Sequence, residues 1–269
     1  MIPEIIVQEI QTATNVALFT HTNPDGDALG SLFGLASILE STGKRVFCYL
    51  DEPVSHIYDF LPDIELGNIG IDAYRSFVDS CDGKLVAVAL DCGDDARLGE
   101  NRHEFLETSP FIVIDHHRGH RDFGTCRWVD PARSSTGEMV YELAQALDAE
   151  IPYNGAYNLY VAICTDTGSF RYENTTGRTM QIAGELIEKG VKTEEVGQKL
   201  YDNYSPERLR LLQMALQTIE IEENEQIAFM TVTQQMLAES GAVMADVDGF
   251  IDFARSLKTV KVAAIFKET

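Results

Sequence analysis

Residues 21–31, HTNPDGDALGS, place an imidazole and two carboxylates within seven residues, at His21, Asp25 and Asp27. An apolar strand pattern ends at His21, and Gly26 permits a tight turn before a helix pattern begins. An acid at such a turn is often the N-cap of the helix, and that role alone would explain Asp25 or Asp27. Because a cap needs one acid, whereas this turn holds two acids and a histidine, the segment also predicts a ligand cluster.

Three further segments carry the same residue types where apolar runs end. Asp91 ends LVAVALD, Asp115 ends FIVID and is followed by His116 and His117, and Asp166 lies in CTDTGSF. Taken singly, an aspartate after a strand is commonly a turn former, and a lone histidine is commonly a core residue. As a set, they place Asp and His groups at one edge of a parallel sheet, where open α/β folds bind ligands. The set therefore predicts a metal site.

The elements that must position these residues alternate between strands and helices. Short, continuous apolar runs predict strands at residues 15–21, 45–50, 85–91 and 111–115. Periodic apolar spacing predicts helices at residues 27–41, 99–107, 136–148, 153–164 and 177–189. Uninterrupted apolarity in the strands indicates a parallel sheet that is covered on both faces. The order predicts a doubly wound, mostly parallel α/β fold with its functional groups at the carboxyl ends of the strands.

The donor types indicate which ions would bind. Four carboxylates, two imidazoles and no thiolate make up the candidate ligands, which are His21, Asp25, Asp27, Asp91, His116 and Asp166. This mixture suits hard-to-borderline divalent ions, Mn²⁺ first with Mg²⁺ or Co²⁺ as alternatives, rather than structural zinc. Two divalent ions would neutralise the four carboxylates, whereas one would leave a negative site that repels phosphate. We therefore expect two ions about 3.5–4 Å apart, which together clamp an in-line displacement at phosphorus.

The ordered set HTNPDGDALGS, LDCGD, IDHH and TDTGSF resembles the four signature motifs of the DHH phosphoesterase family. The resemblance covers residues 15 to about 190 and is nearest to the bacterial nano-RNase type, a bifunctional oligoribonuclease and phosphoadenosine-phosphate phosphatase. It implies that His21 and Asp25 ligate one Mn²⁺ and that Asp91 bridges this ion to a second. The other ligands implied for the second ion are Asp27, His116 and Asp166.

The resemblance also implies roles beyond metal ligation. Catalytic roles would fall to Asp91, Asp115 and His117. Asp115 would hold His116 in its metal-binding tautomer, and His117 would face the substrate phosphate. Independently of the resemblance, Arg118 and Arg133 near the predicted metal site are candidate substrate contacts, as is Ser135.

These substrate contacts have ordinary alternatives. Ser135 with Glu138 fits a capping box at the start of a helix, although the hydroxyls of residues 134–136 could instead line the metal cleft, as the SST segment of the family does. Arginine binds phosphate in a bidentate manner. Residues 96–133, however, contain six arginines and six acids, so surface ion pairing explains these arginines equally well.

The sequence predicts two domains joined by a helical segment. We expect a DHH catalytic domain at residues 1–190, a helical linker at 191–220, and the start of a smaller α/β substrate-binding domain at 221–269. Family members of this type carry a glycine-rich GGGH-like segment in that second domain, whereas this sequence has no glycine after Gly249. We therefore expect the second domain to be truncated.

Composition excludes several classes of protein. The 269 residues are 45% hydrophobic and 24% charged, as in an ordinary globular protein and unlike a disordered chain or a coiled coil. A net charge of −22 provides no broad basic surface for long nucleic acid or an anionic membrane. Five cysteines without a C-x-x-C pair, no signal peptide and no apolar run near ~18 residues favour a cytoplasmic protein. The sequence is compatible with a homodimer.

The candidate ligands predict a metal-dependent phosphoesterase, and the resemblance implies that it uses Mn²⁺ and hydrolyses short oligoribonucleotides or 3'-phosphoadenosine 5'-phosphate. A hydroxide bridging the two ions would attack phosphorus in line, with His117 or a water protonating the leaving oxygen. The alternatives are a phosphodiesterase of cyclic or linear dinucleotides, an inorganic pyrophosphatase, and a non-catalytic metal–nucleotide sensor. Every ligand position is present, which favours an enzyme over a sensor, and metal-dependent product release would separate the two.

Overall fold

The computed structural model describes residues 1–268, which form two compact units. The first unit comprises Met1–Val54 with Tyr58–Val196, and the second comprises Ser55–Ile57 with the chain from Gly197 onward. All six candidate metal ligands belong to the first unit. The fold of that unit therefore decides the geometry of the site.

A parallel six-stranded sheet forms the centre of the first unit. Its strands are β1 Asn15–Phe19, β2 Arg45–Leu50, β3 Gly67–Ile69, β4 Leu85–Leu90, β5 Phe111–Asp115 and β6 Cys126–Val129. Their spatial order is β3-β2-β1-β4-β5-β6, with parallel pairing throughout. Strands β1, β4 and β5 are direct neighbours in the sheet, although β2 and β3 lie between them in the chain. The predicted α/β fold with a mostly parallel sheet is confirmed.

Helices pack on both faces of this sheet. The helices are α1 Glu4–Thr12, α2 Gly26–Ser41, α3 Ile71–Asp79, α4 Arg102–Phe105, α5 Thr136–Ala146, α6 Tyr153–Asp166 and α7 Gly177–Glu188, followed by α8 Thr193–Tyr201 across the boundary between the units. On the face of α3 and α4, Phe19 of β1 lies 4.6 Å from Phe105 and 5.5 Å from Tyr74, measured between ring centroids. On the other face, α2 and α5 contact β1 and β5. Burial of each such aromatic ring stabilises the sheet by roughly 1.5–3 kcal/mol.

The close approach of α2 and α6 depends on glycine. A Cβ atom at Gly30 would lie 2.5 Å from the carbonyl oxygen of Asn158, and one at Gly26 would lie 2.5 Å from the Thr165 side chain. Both distances are too short for a real contact, so a side chain at either position would push the helices apart. The first turn of α2 therefore lies against the last turn of α6, and these two turns carry two of the candidate ligands.

The second unit contains a small mixed sheet and three further helices. Its elements are α9 Pro206–Leu216, β7 Glu220–Glu222, β8 Ile227–Val232, α10 Gln234–Ser240, α11 Ile251–Arg255 and β9 Val262–Lys267. The sheet order is β7-β8-β9, with β7 antiparallel and β9 parallel to β8. Strand β8 alternates between buried and half-buried residues, with Ala228, Met230 and Val232 facing the core. This alternation is typical of a sheet that is covered on one face.

Some local predictions differ from the structure. The helix predicted at residues 99–107 is reduced to Arg102–Phe105, because Gly99 adopts a φ of +91° after a short 3₁₀ turn at Asp95–Leu98. Strands β3 and β6 and helices α1 and α3 were not predicted, since each is short or carries a mixed apolar pattern. None of the helices within residues 1–268 has the length and apolar character needed to cross a bilayer.

Candidate metal centre

The six candidate ligands meet at the carboxyl end of the central strands. His21 follows β1, Asp91 follows β4, and His116 follows β5. Asp25 and Asp27 flank the first residue of α2, and Asp166 is the last residue of α6. The parallel topology and the glycine contact between α2 and α6 together bring these side chains to one place.

Asp91 lies between the two imidazoles of the cluster. Its Oδ2 atom is 3.7 Å from Nε2 of His21, and its Oδ1 atom is 3.6 Å from Nε2 of His116. The Oδ1 atom also accepts a hydrogen bond of 2.9 Å from the Thr136 hydroxyl. The residue adopts a φ of +56°, a backbone conformation that is costly for a side chain other than glycine, asparagine or aspartate. Burial raises the pKa of Asp91, but the neighbouring imidazoles of His21, His116 and His117 outweigh burial and lower it.

Asp27 is held by the amino terminus of α5. Its Oδ2 atom accepts from the backbone N–H of Thr136 at 2.8 Å, and its Oδ1 atom accepts from the backbone N–H of Gly137 at 2.9 Å. The hydroxyl of Ser31 donates a third hydrogen bond at 3.1 Å. Burial, followed by the negative charge of neighbouring aspartates, nevertheless raises the pKa of Asp27 well above its usual value. Cations at the site would relieve this repulsion.

His116 provides the clearest sign that the cluster suits a cation. Its Nε2 atom is buried and has no hydrogen-bond partner among residues 1–268. Three carboxylate oxygens surround this nitrogen, at 3.6 Å from Asp27, 3.6 Å from Asp91 and 3.7 Å from Asp166. These separations are too long for hydrogen bonds. A buried nitrogen facing three carboxylates without bonding any of them is the arrangement expected of residues that ligate a cation, so the donor set fits a metal ion.

His21 and Asp25 lie on the other side of Asp91. The Nδ1–H group of His21 donates to the Thr22 carbonyl oxygen at 2.9 Å, which leaves Nε2 as the nitrogen with a lone pair. Asp25 caps α2, because its Oδ1 atom accepts from the backbone N–H groups of Asp27 and Ala28. Ligand atoms of Asp25 nevertheless lie within 4.8 Å of ligand atoms of His21 and Asp91. Asp25 therefore both caps α2 and belongs to the cluster of candidate ligands.

The ligand atoms form overlapping triplets that could hold metal ions. Within residues 1–268, the three triplets are His21 with Asp25 and Asp91, Asp27 with His116 and Asp166, and Asp91 with His116 and His117. Burial and the nearby carboxylates raise the pKa of Asp166 to about 6, although His116 opposes this shift. The side-chain amide of Asn174 donates to Oδ2 of Asp166 at 3.1 Å. The structure therefore brings all six predicted ligands together.

Asp115 has different partners from those we expected. Its Oδ1 atom accepts from Nδ1 of His117 at 2.7 Å, and its Oδ2 atom accepts from Nδ1 of His120 at 2.7 Å. The expectation that Asp115 holds His116 is therefore not met, because both oxygens are engaged by other imidazoles. The hydrogen bond to Asp115 raises the pKa of His117 to about 9, although burial opposes it. Sequence reasoning missed His120, and its position five residues after Asp115 was the available signal.

The predicted substrate contacts fall in different environments. Arg118 is exposed and directly follows His117 in the chain. Arg133 is instead paired with acids, at 3.0 Å from Glu142 and 3.4 Å from Asp130. Ser135 is fully buried and caps α5 through a hydrogen bond from the backbone N–H of Glu138. Ser135 and Arg133 thus support the fold around the site, and Arg118 alone of the three lies at the exposed surface.

One family profile and two named relatives match this chain. The profile of the DHH family, N-terminal domain, matches residues 15–165. The chain is 30% identical over 266 residues to the bifunctional oligoribonuclease and PAP phosphatase NrnA of Thermus thermophilus, covering 98% of this chain and 76% of that protein. It is 27% identical to the protein of the same name from Bacillus subtilis, covering 98% of this chain and 80% of that protein.

A solved structure matches the fold of most of the chain. It is an exopolyphosphatase-related protein from Bacteroides fragilis, which superposes with a TM-score of 0.85 at 27% sequence identity. The match covers 95% of this chain and 76% of that one.

Proposed function

The chain belongs to the DHH family, and on that premise we propose that it is a metal-dependent phosphoesterase acting on short oligoribonucleotides and 3'-phosphoadenosine 5'-phosphate, with Mn²⁺ as its cofactor. Relatives named as bifunctional oligoribonucleases and PAP phosphatases support this substrate class. The observation that carries the proposal is the buried Nε2 atom of His116, which faces three carboxylates and bonds none of them.

The residues divide naturally between two cations. His21 and Asp25 would hold one ion, and Asp91 would contact both, because it lies between the two imidazoles. The ligands assigned to the second ion are Asp27, His116 and Asp166. When bound, the cations would supply Lewis-acid stabilisation of the phosphoryl oxygens and lower the pKa of the attacking water.

The protein's own groups prepare the site for this chemistry. Backbone N–H groups at the start of α5 fix Asp27, and the Thr136 hydroxyl fixes Asp91. These hydrogen bonds are in place before substrate arrives, so little reorganisation is needed during the reaction. The ligands are thereby held at the carboxyl edge of the sheet.

His117 is the group proposed to contact the substrate. Its Nδ1–H group is engaged by Asp115 at 2.7 Å, and its side chain remains 43% exposed. In the metal-free protein the hydrogen bond to Asp115 raises the pKa of His117 to about 9, which favours a ring that carries a hydrogen on Nε2. That N–H group would donate to a phosphoryl oxygen and could release its proton to the leaving oxygen.

Charge limits the size of the substrate. A chain with a net charge of −22 repels a long polyanion, whereas a dinucleotide presents few phosphates. Exposed Arg118 beside His117 offers a local cation for such a phosphate. All five cysteines are free, which fits a reducing, cytoplasmic compartment.

A substrate panel tests the proposal. Protein stripped with EDTA and reloaded with Mn²⁺ is incubated with a dinucleotide, 3'-phosphoadenosine 5'-phosphate, a cyclic dinucleotide and pyrophosphate, and the products are separated by chromatography. We expect nucleoside monophosphates from the dinucleotide and inorganic phosphate from 3'-phosphoadenosine 5'-phosphate. Preferential opening of the cyclic dinucleotide or cleavage of pyrophosphate would replace the proposed substrate class. Binding without turnover of any substrate would identify a sensor.

A further inference from the structure

Two histidines share one buried carboxylate beside the metal centre. Asp115 is fully buried, and each of its oxygens accepts one imidazole N–H at 2.7 Å, from His117 on one side and from His120 on the other. The first histidine is half-exposed and lies 3.6 Å from Asp91, whereas the second is only 6% exposed. The arrangement therefore links a buried ring to the ring proposed to contact substrate.

The ring of His120 is fixed in place. It stacks on Phe123 with ring centroids 5.4 Å apart and an interplanar angle of 22°. Its Nε2 atom is buried and has no hydrogen-bond partner within residues 1–268, so the polar contact of the ring is made to Asp115 through Nδ1. A buried ring that is stacked on one side and bonded on the other holds Oδ2 of the carboxylate in one orientation.

The carboxylate orientation matters because His117 has a choice of acceptors. Its Nδ1 atom is 2.7 Å from Oδ1 of Asp115 and 3.6 Å from Oδ1 of Asp91. If the carboxylate of Asp115 rotated, the N–H group of His117 would turn toward Asp91, which is the proposed bridging ligand. That movement would point Nε2 away from its working direction and would occupy an oxygen needed for a metal ion.

We propose that His120 is a positioning residue, which fixes the carboxylate of Asp115 and through it the orientation of His117. The inference rests on the proposed function, because His117 is the group assigned to contact the substrate. His120 itself touches neither the substrate nor the ligand atoms. Removal of the His120 side chain should therefore slow the chemical step more than it weakens metal binding.

Replacements at His120 separate the hydrogen bond from the volume of the ring. Asparagine places an amide N–H group close to the position of the imidazole Nδ1, whereas glutamine places its amide further out, and leucine has no donor. Partners that orient an active group through a hydrogen bond typically contribute about 10–100-fold. We expect His120→Leu and His120→Gln to lower kcat by about 10–100-fold, with KM and Mn²⁺ affinity within about twofold of wild type. His120→Asn should retain kcat within about threefold.

Two further measurements make the test specific. In the His117→Ala background, His120→Leu should lower kcat no further, because both residues act through one hydrogen-bond chain. In metal-free protein labelled with ¹⁵N-histidine, the downfield Nδ1–H resonance of His117 should persist in His120→Asn and broaden or vanish in His120→Leu. Thermal unfolding identifies any variant that fails to fold, in which case the asparagine and glutamine pair carries the comparison.

Three results would overturn the inference. These are equal kcat values for the asparagine and glutamine variants, a kcat loss from His120→Leu that persists in full without His117, and a raised KM with unchanged kcat. A wild-type protein that hydrolyses none of the substrates would refute the proposed function instead. In that case the ¹⁵N spectra would still decide whether His120 holds the Asp115–His117 hydrogen bond.

Discussion

The two sides of the metal centre are built differently. The deep pair, Asp27 and Asp91, is 2% and 3% exposed, and both carboxylates accept hydrogen bonds from the first turn of α5. The open group, Asp25, Asp166 and His117, is partly or largely exposed. In the open group, Asp166 receives the amide of Asn174, and His117 is held through Asp115.

On the proposed assignment, both groups would hold metal, but the open group alone would also meet substrate. Buried carboxylates repel one another unless cations neutralise them, so the deep pair needs both protein donors and metal. The open group keeps enough exposure for a phosphate to approach. Substitutions in the deep pair should therefore abolish turnover and substitutions in its supports should lower it, whereas conditions that act on the open group should change affinity and pH dependence.

The largest effect is expected from Asp91→Asn. The substitution removes the charge shared between two cations, and asparagine tolerates the φ of +56° at this position, so the fold should survive. Loss of one oxyanion contact costs about 10²–10³ in rate, and a bridging ligand should cost more. Steady-state hydrolysis of a dinucleotide measures the loss. Asp122→Asn, whose side chain is 82% exposed, is the matched control. Turnover above a tenth of wild type with both metals bound would rule out the bridging role.

A smaller loss is expected from Thr136→Val, which tests the support of the deep pair. Valine keeps the volume of this buried residue and removes the hydroxyl that donates to Asp91 at 2.9 Å. We expect kcat/KM and Mn²⁺ affinity to fall by about tenfold. Thr20→Val is the matched control, because the buried hydroxyl of Thr20 has no hydrogen-bond partner in residues 1–268. Equal effects of the two substitutions would show that the α5 contact does not support the site.

Metal should stabilise the fold in a pH-dependent manner. Burial and its acidic neighbours raise the pKa of Asp166 to about 6 in the metal-free protein. The proton therefore stabilises the metal-free fold below about pH 4, and this contribution is lost as the pH rises through about 6. Because a cation replaces the proton, the increase in Tm caused by Mn²⁺ should grow across that interval.

The size of that increase follows from the linkage of binding to folding. When the free Mn²⁺ concentration is about a hundred times Kd, binding raises the free energy of unfolding by about 2.7 kcal/mol. For a chain of this size, that corresponds to an increase in Tm of about 5–10 °C. Differential scanning calorimetry with Mn²⁺ or EDTA measures the shift. Asp166→Asn should show a smaller dependence on pH. A shift that shrinks as the pH rises would contradict the assignment of Asp166 as a ligand.

The smallest effect is expected from salt, which tests how the open group meets substrate. A short strand presents about two or three phosphates, so log KM against log salt should have a slope of about 1.5–2 in magnitude, at ~0.7 per phosphate. Titration of KCl in the dinucleotide assay measures this slope. A magnitude above about 4 would indicate that a longer nucleic acid is gripped by an additional surface.

The fold and the clustering of the candidate ligands could be predicted from sequence because both depend on local signals. Continuous apolar strands that end in Asp or His predicted the parallel sheet and the cluster at its edge. The hydrogen bonds that hold the candidate ligands in place could not be predicted in the same way. The contact of Thr136 with Asp27 joins residues 109 positions apart and depends on how α5 docks. Asp115 bonds His117 and His120 and not, as we had expected, His116. Which imidazole reaches Asp115 depends on the path of the loop after β5, and hydrophobic periodicity does not describe that path.

Counting the bound metal tests the central claim most directly. Protein stripped with EDTA is dialysed against Mn²⁺ and analysed by inductively coupled plasma mass spectrometry, for wild type and for Asp91→Asn. The proposed centre predicts two Mn²⁺ ions per wild-type chain and fewer in the variant, because Asp91 serves both ions. A single ion or none in wild type, or two ions of unchanged affinity in the variant, would contradict a pair of cations bridged by Asp91.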